Sequence, residues 1–347
     1  MISYRVEARH YLALILATTF IALAPHGHSV ERAAVDPLPS WTEGKTKTAI
    51  LGFVQHATTD GDPGFVIPGD RIAVFDMDGT LIPEKPLPGA VLPIVEDVRA
   101  AAARHPEIAS KPAVAALLAG DIKGVEAAGQ QGLADIIAAA VDDRTTEDVE
   151  TDTAREERAA MHPVYHRPYL ELAYRPMIEV ITLLRAHGFQ IWLCSGSPVA
   201  YVRGMSVEAF GIDANHVIGS SLATAFAERE GRTVLIYTGG VERLVDRTTK
   251  PPAINLVIGK RPVFVAGNVG GEGDIAMMRY SHDRRGPSFQ LLVNHDDAKR
   301  EFSYTEKSGA SLAAAARHGF TVASMARDWK VVFIPPDDPA GSPQTTH

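Results

Sequence analysis

Two carboxylates one residue apart, Asp76 and Asp78, stand in the run Asp76-Met77-Asp78-Gly79-Thr80, directly behind the apolar stretch Arg71-Ile72-Ala73-Val74-Phe75. Alternation along an extended chain throws both acids to one side, and Gly79 permits a sharp turn after them. Carboxylates so close repel unless a cation or a division of protonation states relieves them. Such a pair suits covalent phosphoryl transfer, with one acid as nucleophile and the other as proton carrier, and a bound Mg²⁺ would ease the repulsion. Asp is also a common turn residue, and a turn holding two for that reason alone would look the same in isolation.

Two further apolar runs end in a similar way. Phe189-Gln-Ile-Trp-Leu-Cys194 leads into Ser195-Gly196-Ser197, and Pro262-Val-Phe-Val-Ala266 into Gly267-Asn268. All three runs have strand length and are rich in β-branched or aromatic residues, as strands of a buried parallel sheet are. Ligands of open α/β sheets bind beyond the carboxyl ends of the strands, so the three turns can meet at one site. The elements that must position them read as helices. Pro176 opens one in which Met177, Ile181 and Leu184 share a face, and Arg185, His187 and Gly188 supply its stop. Ser197 and Pro198 read as the N-cap and first residue of another running toward Phe210, which places free N–H groups at the second turn.

Between the first and second strands lies an Ala-rich insertion, roughly 85–165, with no Phe or Trp and no Tyr before its last residue. Its pieces 112–119 and 133–141 favour helix by composition and by the spacing of Leu133, Ile136, Ile137 and Val141, so the insertion reads as a small helical cap. The charge-dense stretch 142–158 reads as a solvated helix face or linker. Beyond the third strand come a further strand at 290–294, a helix near 311–317, an apolar segment at 331–334, and a Pro- and Gly-containing tail, 335–347, expected to be disordered.

Asp-Met-Asp-Gly-Thr resembles motif I of the haloacid dehalogenase superfamily, and the later turns follow in that superfamily's order and roughly its spacing. The segment from Trp41 through the Asp turn, together with Arg167-Pro-Tyr-Leu-Glu-Leu-Ala-Tyr-Arg-Pro-Met177 and Ala326-Arg-Asp-Trp-Lys330, is similar to exported bacterial acid-phosphatase-like or phosphoserine-phosphatase-like hydrolases of that superfamily. The resemblance implies an α/β, Rossmann-like parallel sheet with a helical cap inserted after motif I. The catalytic core would then span 40–84 and 166–334, and the cap 85–165. It implies Mg²⁺-dependent phosphomonoester hydrolysis, with Asp76 forming an aspartyl-phosphate and Asp78 acting as general acid and base while offering its carbonyl to the metal. Phosphotransfer to an alcohol, or a binding protein that kept the fold without the chemistry, are the alternatives.

By the same resemblance Ser195 and Gly196 hold a phosphoryl oxygen. A lysine is then required to neutralise the phosphoryl group, and Lys250, ahead of a plausible helix, fits better than Lys260, which sits at the wrong end of the third strand. The fourth motif departs from the pattern. In Gly267-Asn-Val-Gly-Gly-Glu-Gly-Asp274-Ile-Ala-Met-Met278, the run after Asp274 resembles the helix that follows the superfamily's second acid, which implies Asp274 as the metal ligand across a two-residue loop expansion, with Asn268 and Glu272 as further candidates. No Gly-x-Gly-x-x-Gly spacing supports a dinucleotide site.

The bulk properties narrow the partners. A chain of 347 residues, 46% hydrophobic, can bury a substantial core, and a formal charge of −8 without a Lys/Arg cluster argues against nucleic acid. A small phosphorylated substrate is the expected partner. Arg5 and Arg9 followed by the apolar stretch from Tyr11 to Ala24 and by Pro25, Gly27 and Ser29 have the order of a secretory signal, 1–29. Export to the periplasm or medium is therefore expected, with an uncleaved membrane anchor as the alternative. Cys194, the single cysteine, reads as a packing residue, as do Trp41, Trp192 and Trp329. His162 and His166 are four apart, but Pro163 and Pro168 spoil a helical metal pair. A cap so poor in aromatics disfavours a cage for a quaternary ammonium group.

Overall fold

The computed structural model describes residues 35–334, so the expected signal segment and C-terminal tail lie outside the described residues. In chain order the helices are α1 (Lys45–Thr58), α2 (Val91–Arg104), α3 (Pro112–Leu118), α4 (Ile122–Ala127), α5 (Gly129–Ala140), α6 (Thr146–Ala159), α7 (Arg175–Ala186), α8 (Val199–Phe210), α9 (Lys250–Ile258), α10 (Glu272–His282), α11 (Ala310–His318) and α12 (Met325–Asp328). The strands are β1 (Ile72–Phe75), β2 (Gln190–Pro198), β3 (Val217–Arg229), β4 (Arg232–Arg243), β5 (Phe264–Asn268), β6 (Phe289–Asn294) and β7 (Thr321–Ser324). They form one seven-stranded sheet in the order β4-β3-β2-β1-β5-β6-β7. From β3 to β7 each neighbouring pair is parallel, while β4 folds back antiparallel on β3. This is the α/β, Rossmann-like architecture expected from the sequence.

Alternation along the central strands divides the core. Ala73, Phe75, Ile191, Leu193, Phe264, Ala266, Leu291 and Val293 pack on one face with Ile50 and Val54 of α1 and Met177, Ile181 and Leu184 of α7. Ile72, Val74, Cys194, Val265 and Leu292 pack on the other with Ile254 of α9, Met277 and Met278 of α10, and Ala315 of α11. Both faces are covered, as a parallel sheet demands, which is why these strands read as continuous apolar runs. Trp41 and Trp329 are buried edge to face, with ring centroids 6.0 Å apart, and Cys194 is fully buried.

Five helices, α2 to α6, fill the chain between β1 and β2 and build a separate cluster from Ile94, Val98, Val114, Ile136, Ile137, Val141 and Val149. Their cluster is completed from outside the insertion by Tyr201 of α8 and by Leu222 and Tyr237 of the β3–β4 hairpin. Sequence reasoning missed that hairpin. Its two-residue turn, Glu230-Gly231, has positive φ at both positions, the geometry that joins twisted strands, and pairs Arg229 with Arg232. Its outer half is exposed, so it lacks the apolar density of the central strands.

Three smaller expectations need correcting. The stretch 142–158 is mostly helix α6, capped by Thr145, and it buries Val149, Thr153 and Glu157 along one face in place of being solvated throughout. The last strand is β7, whereas 331–334 contributes only an isolated bridge from Phe333 to Tyr174. Helix α8 starts at Val199, one residue later than Ser197-Pro198 suggested, and Ser197 is turned elsewhere. Among the described residues no helix is long and apolar enough to cross a membrane.

Phe264 lies fully buried at the centre of this packing, its ring stacked on Phe289 at 5.6 Å. Phe264→Ala is expected to lower stability in urea unfolding by about 3–5 kcal/mol, whereas Leu256→Ala on the exposed side of α9 should stay within about 0.5 kcal/mol.

Candidate active site

The first strand hands the chain to Asp76, whose amide donates to Ala266 O of β5 (2.9 Å), fixing it at the strand's carboxyl end. Asp76 Oδ2 accepts from the Thr80 hydroxyl (3.0 Å), and Oδ1 accepts from Lys250 Nζ (2.7 Å). The same ammonium donates to Asp274 Oδ1, also at 2.7 Å. Asp76, Lys250 and Asp274 are only 6, 5 and 3% exposed. Burial works against the lysine charge, but the carboxylates of Asp274 and Asp76 outweigh it and hold the ammonium well above the ordinary lysine range. Asp274 is pushed up, by burial first and by the charge of Asp76 second, against the pull of Lys250. Two carboxylates on one ammonium leave a surplus of negative charge in a buried place.

Glycines make this approach possible. A Cβ on Gly267 would sit 2.7 Å from Asp274 Cβ, and one on Gly273 would sit 3.2 Å from Lys250 Cδ and Cε. Asp274, the third residue of α10, accepts the Asn268 amide on Oδ2 (2.8 Å), so the expanded loop closes back on the end of β5. Asn268 itself donates from Nδ2 to the Asp78 carbonyl (3.2 Å), while its Oδ1 accepts from the Gly270 amide (3.0 Å). Glu272 is exposed at the first position of α10, and Lys260 is exposed and pairs with Asp70 at 2.6 Å.

Asp78 is half-buried, and its carboxyl is pushed up to about 7 by desolvation, then by the charges of Asp76 and Glu84. Ser197 Oγ donates to its Oδ2 (3.3 Å), and Oδ1 is enclosed with no partner among the described residues. A contact from Ser197 to Asp78 was not anticipated, because a Ser ahead of a helix reads first as a cap. Ser195, fully buried at the end of β2, accepts the Ser197 amide on Oγ (3.1 Å), which leaves its own hydrogen to give. Gly196 lies beside it and anchors the turn through its carbonyl, which accepts from Ser220 Oγ (2.8 Å).

Among the described residues no three His, Cys, Asp or Glu side chains gather as a metal cage. The oxygens on offer are the Asp76 and Asp274 carboxylates and the Asp78 main-chain carbonyl. All are hard donors, as Mg²⁺ prefers, and the partnerless Asp78 Oδ1 together with the surplus negative charge favours an added cation, so these residues fit the ion. His162 does not. Its Nδ1 accepts the amides of Val164 and Tyr165 (3.2 Å each) and its Nε2 meets the Lys85 carbonyl at 2.8 Å, leaving no lone pair for a metal.

One acid of the insertion stands apart. Glu157 on α6 is fully buried, neither of its carboxyl oxygens has a partner among the described residues, and desolvation, then the charges of Asp78 and Glu156, push it up to about 8.

Residues 73–279, more than half of the chain, match the family model of haloacid dehalogenase-like hydrolases, and the chain belongs to that family. No curated protein matches it. Among solved structures, a conserved functionally unknown protein from Anaerococcus prevotii DSM 20548 is similar over 80% of this chain and 90% of its own, at 13% identity and a TM-score of 0.51, and shares the fold. A protein of unknown function from Bordetella pertussis Tohama I is 17% identical over 73% of this chain and 97% of its own, with a TM-score of 0.45. A phosphoserine phosphohydrolase-like protein from Francisella tularensis is 14% identical over 73% of this chain and 94% of its own, with a TM-score of 0.37.

The buried Glu157 has a thermodynamic signature. An unfolded glutamate ionises near 4.5 and the folded one near 8, so between those values the folded chain holds a proton that the unfolded chain has lost. Stability from this group therefore falls as pH rises across that window. Glu157→Gln should melt above the wild type at pH 8, with the gap shrinking toward pH 5. Parallel melting curves for the two proteins would refute the assignment.

Proposed function

We propose that this hydrolase is a Mg²⁺-dependent phosphomonoesterase that works through a phosphoryl intermediate on Asp76. The observation that carries the reading is the buried Lys250 ammonium, 2.7 Å from both Asp76 Oδ1 and Asp274 Oδ1. A carboxylate locked to a cation on a strand end, beside a second carboxyl able to keep its proton near neutrality, is an arrangement for nucleophilic attack with acid assistance.

The steps follow from what each group holds. An Asp76 carboxylate oxygen attacks phosphorus as the bond to the leaving oxygen breaks, and the Asp78 carboxyl gives that oxygen its proton. Ser195, with its hydrogen free, donates to a phosphoryl oxygen, the Gly196 turn lets the backbone come close, and Lys250 offsets charge on the transferring group. In the second half Asp78, now a carboxylate, takes a proton from water, whose oxygen attacks phosphorus and returns Asp76 to its carboxylate form with release of inorganic phosphate. Mg²⁺ held by Asp76, the Asp78 carbonyl and Asp274 would make the approach of two anions tolerable. The inserted segment, 85–165, would cover the leaving group as a cap. The basic-then-apolar order of the N-terminal residues supports export, so the mature enzyme would meet small phosphorylated substrates outside the cytoplasm.

The test is p-nitrophenyl phosphate hydrolysis by protein lacking residues 1–29. Asp76→Asn should lose at least about 1,000-fold in kcat while melting normally, as removal of a nucleophile does. Chelation should abolish turnover and Mg²⁺ restore it, with Asp274→Asn needing more Mg²⁺ for half-activation. Unchanged turnover in Asp76→Asn, or full activity under EDTA, would sink the reading. Added alcohols that divert phosphate release would show a transferase in place of a hydrolase.

A further inference from the structure

The two peptides that flank Gly79 are each held through their carbonyl, and neither hold was legible in the motifs. Gly79 sits at φ +76, and a Cβ there would come within 1.6 Å of Asn268 Nδ2 and 2.7 Å of the Tyr304 hydroxyl. The Asp78 carbonyl accepts from Asn268 Nδ2 at 3.2 Å. The next carbonyl, that of Gly79, accepts from His295 Nε2 at 2.7 Å. His295 follows directly on β6 and is buried, and its other ring nitrogen meets Glu301 Oε2 at 3.0 Å. Glu301 is buried as well and accepts the Tyr174 hydroxyl on Oε1 (3.3 Å). The Tyr304 ring stacks on the imidazole with centroids 4.2 Å apart, and its hydroxyl accepts from the same Asn268 amide group (3.4 Å). A closed circuit therefore runs from Gly79 O through His295 and Tyr304 to Asn268 and back to Asp78 O.

Hydrogen-bond accounting shows why a histidine stands here. A carbonyl can only accept, so Nε2 must carry a proton; the remaining proton of the pair then lies between Nδ1 and the Glu301 carboxyl. The ring is braced on both nitrogens and on one face, which fixes the direction of its donor to Gly79, and a side-chain amide of similar reach could supply the same donor.

We infer that His295, braced by Glu301 and Tyr304, is a positioning residue that sets the Asp78–Gly79 turn, so that the Asp78 carboxyl meets the leaving oxygen and its carbonyl meets the cation. This rests on the phosphatase reading above. His295 touches no reacting atom and acts only through the turn.

The experiment compares His295→Leu with His295→Gln, whose amide can still donate to Gly79. Leu should lower kcat for p-nitrophenyl phosphate by roughly 10- to 100-fold, the scale of a misplacement of about 1 Å, with KM little changed. Gln should recover most of that loss. Mg²⁺ affinity measured by calorimetry without substrate should fall in the Leu variant and return in the Gln variant, a readout independent of turnover. Because Leu leaves Glu301 buried without its partner, the double variant His295→Leu/Glu301→Met removes both polar groups and guards against unfolding. Folded single or double Leu variants with wild-type kcat and Mg²⁺ affinity would overturn the inference, as would Gln and Leu failing equally. A wild type that neither hydrolyses phosphomonoesters nor binds Mg²⁺ would instead refute the phosphatase reading itself.

Discussion

An ammonium group buried between two carboxylates governs the rest of this molecule. Lys250 is held at 2.7 Å from both Asp76 and Asp274, in surroundings where an unpaired charge would be strongly disfavoured. Three separate stretches of chain have to arrive together for that pairing: the end of β1, the start of α9 and the first turn of α10. Each arrival is arranged locally. Two prolines follow Lys250 and set the first turn of its helix, and Gly267 and Gly273 clear the space that Asp274 and the lysine stem occupy. The pairing remains one negative charge in excess, and the Asp78 carboxyl beside it is pushed upward by desolvation first and by the Asp76 charge second.

The sheet supplies the rigidity that such a centre needs. With α1 and α7 on one face and α9, α10 and α11 on the other, the strands that carry the chemistry are buried on both sides, and their ends cannot drift independently. Strand β6 extends that support, because the residue immediately after it reaches across to the Gly79 carbonyl. Family membership accounts for the order of the turns, and the contacts of His295 with Gly79 and Glu301 come from the packing just beyond β6.

The insertion shows a different balance. Its helices share their apolar cluster with α8 and the β3–β4 hairpin, so it is tied to the sheet's edge through Tyr201, Leu222 and Tyr237. Within it, Arg144 bridges Asp97 (2.5 Å) and Asp152 (2.7 Å), and Asp97 also accepts the Tyr201 hydroxyl. Charge that looked like a solvent-facing linker is thus partly interior, and Glu157 on the same helix is buried without a partner.

How much could be read in advance follows from how local each cause is. The central strands were legible because burial on both faces leaves continuous apolar runs. The Asp-Met-Asp-Gly-Thr turn was legible because its chemistry lies within five consecutive residues, and the preference for Asp274 over Glu272 came from the helix pattern after it. What only the tertiary structure decided depends on residues far apart in sequence. Ser197 turns to Asp78 across 119 positions and His295 reaches Gly79 across 216. A sequence names the groups able to donate and accept, but which of them meet is set by how the sheet and its helices pack.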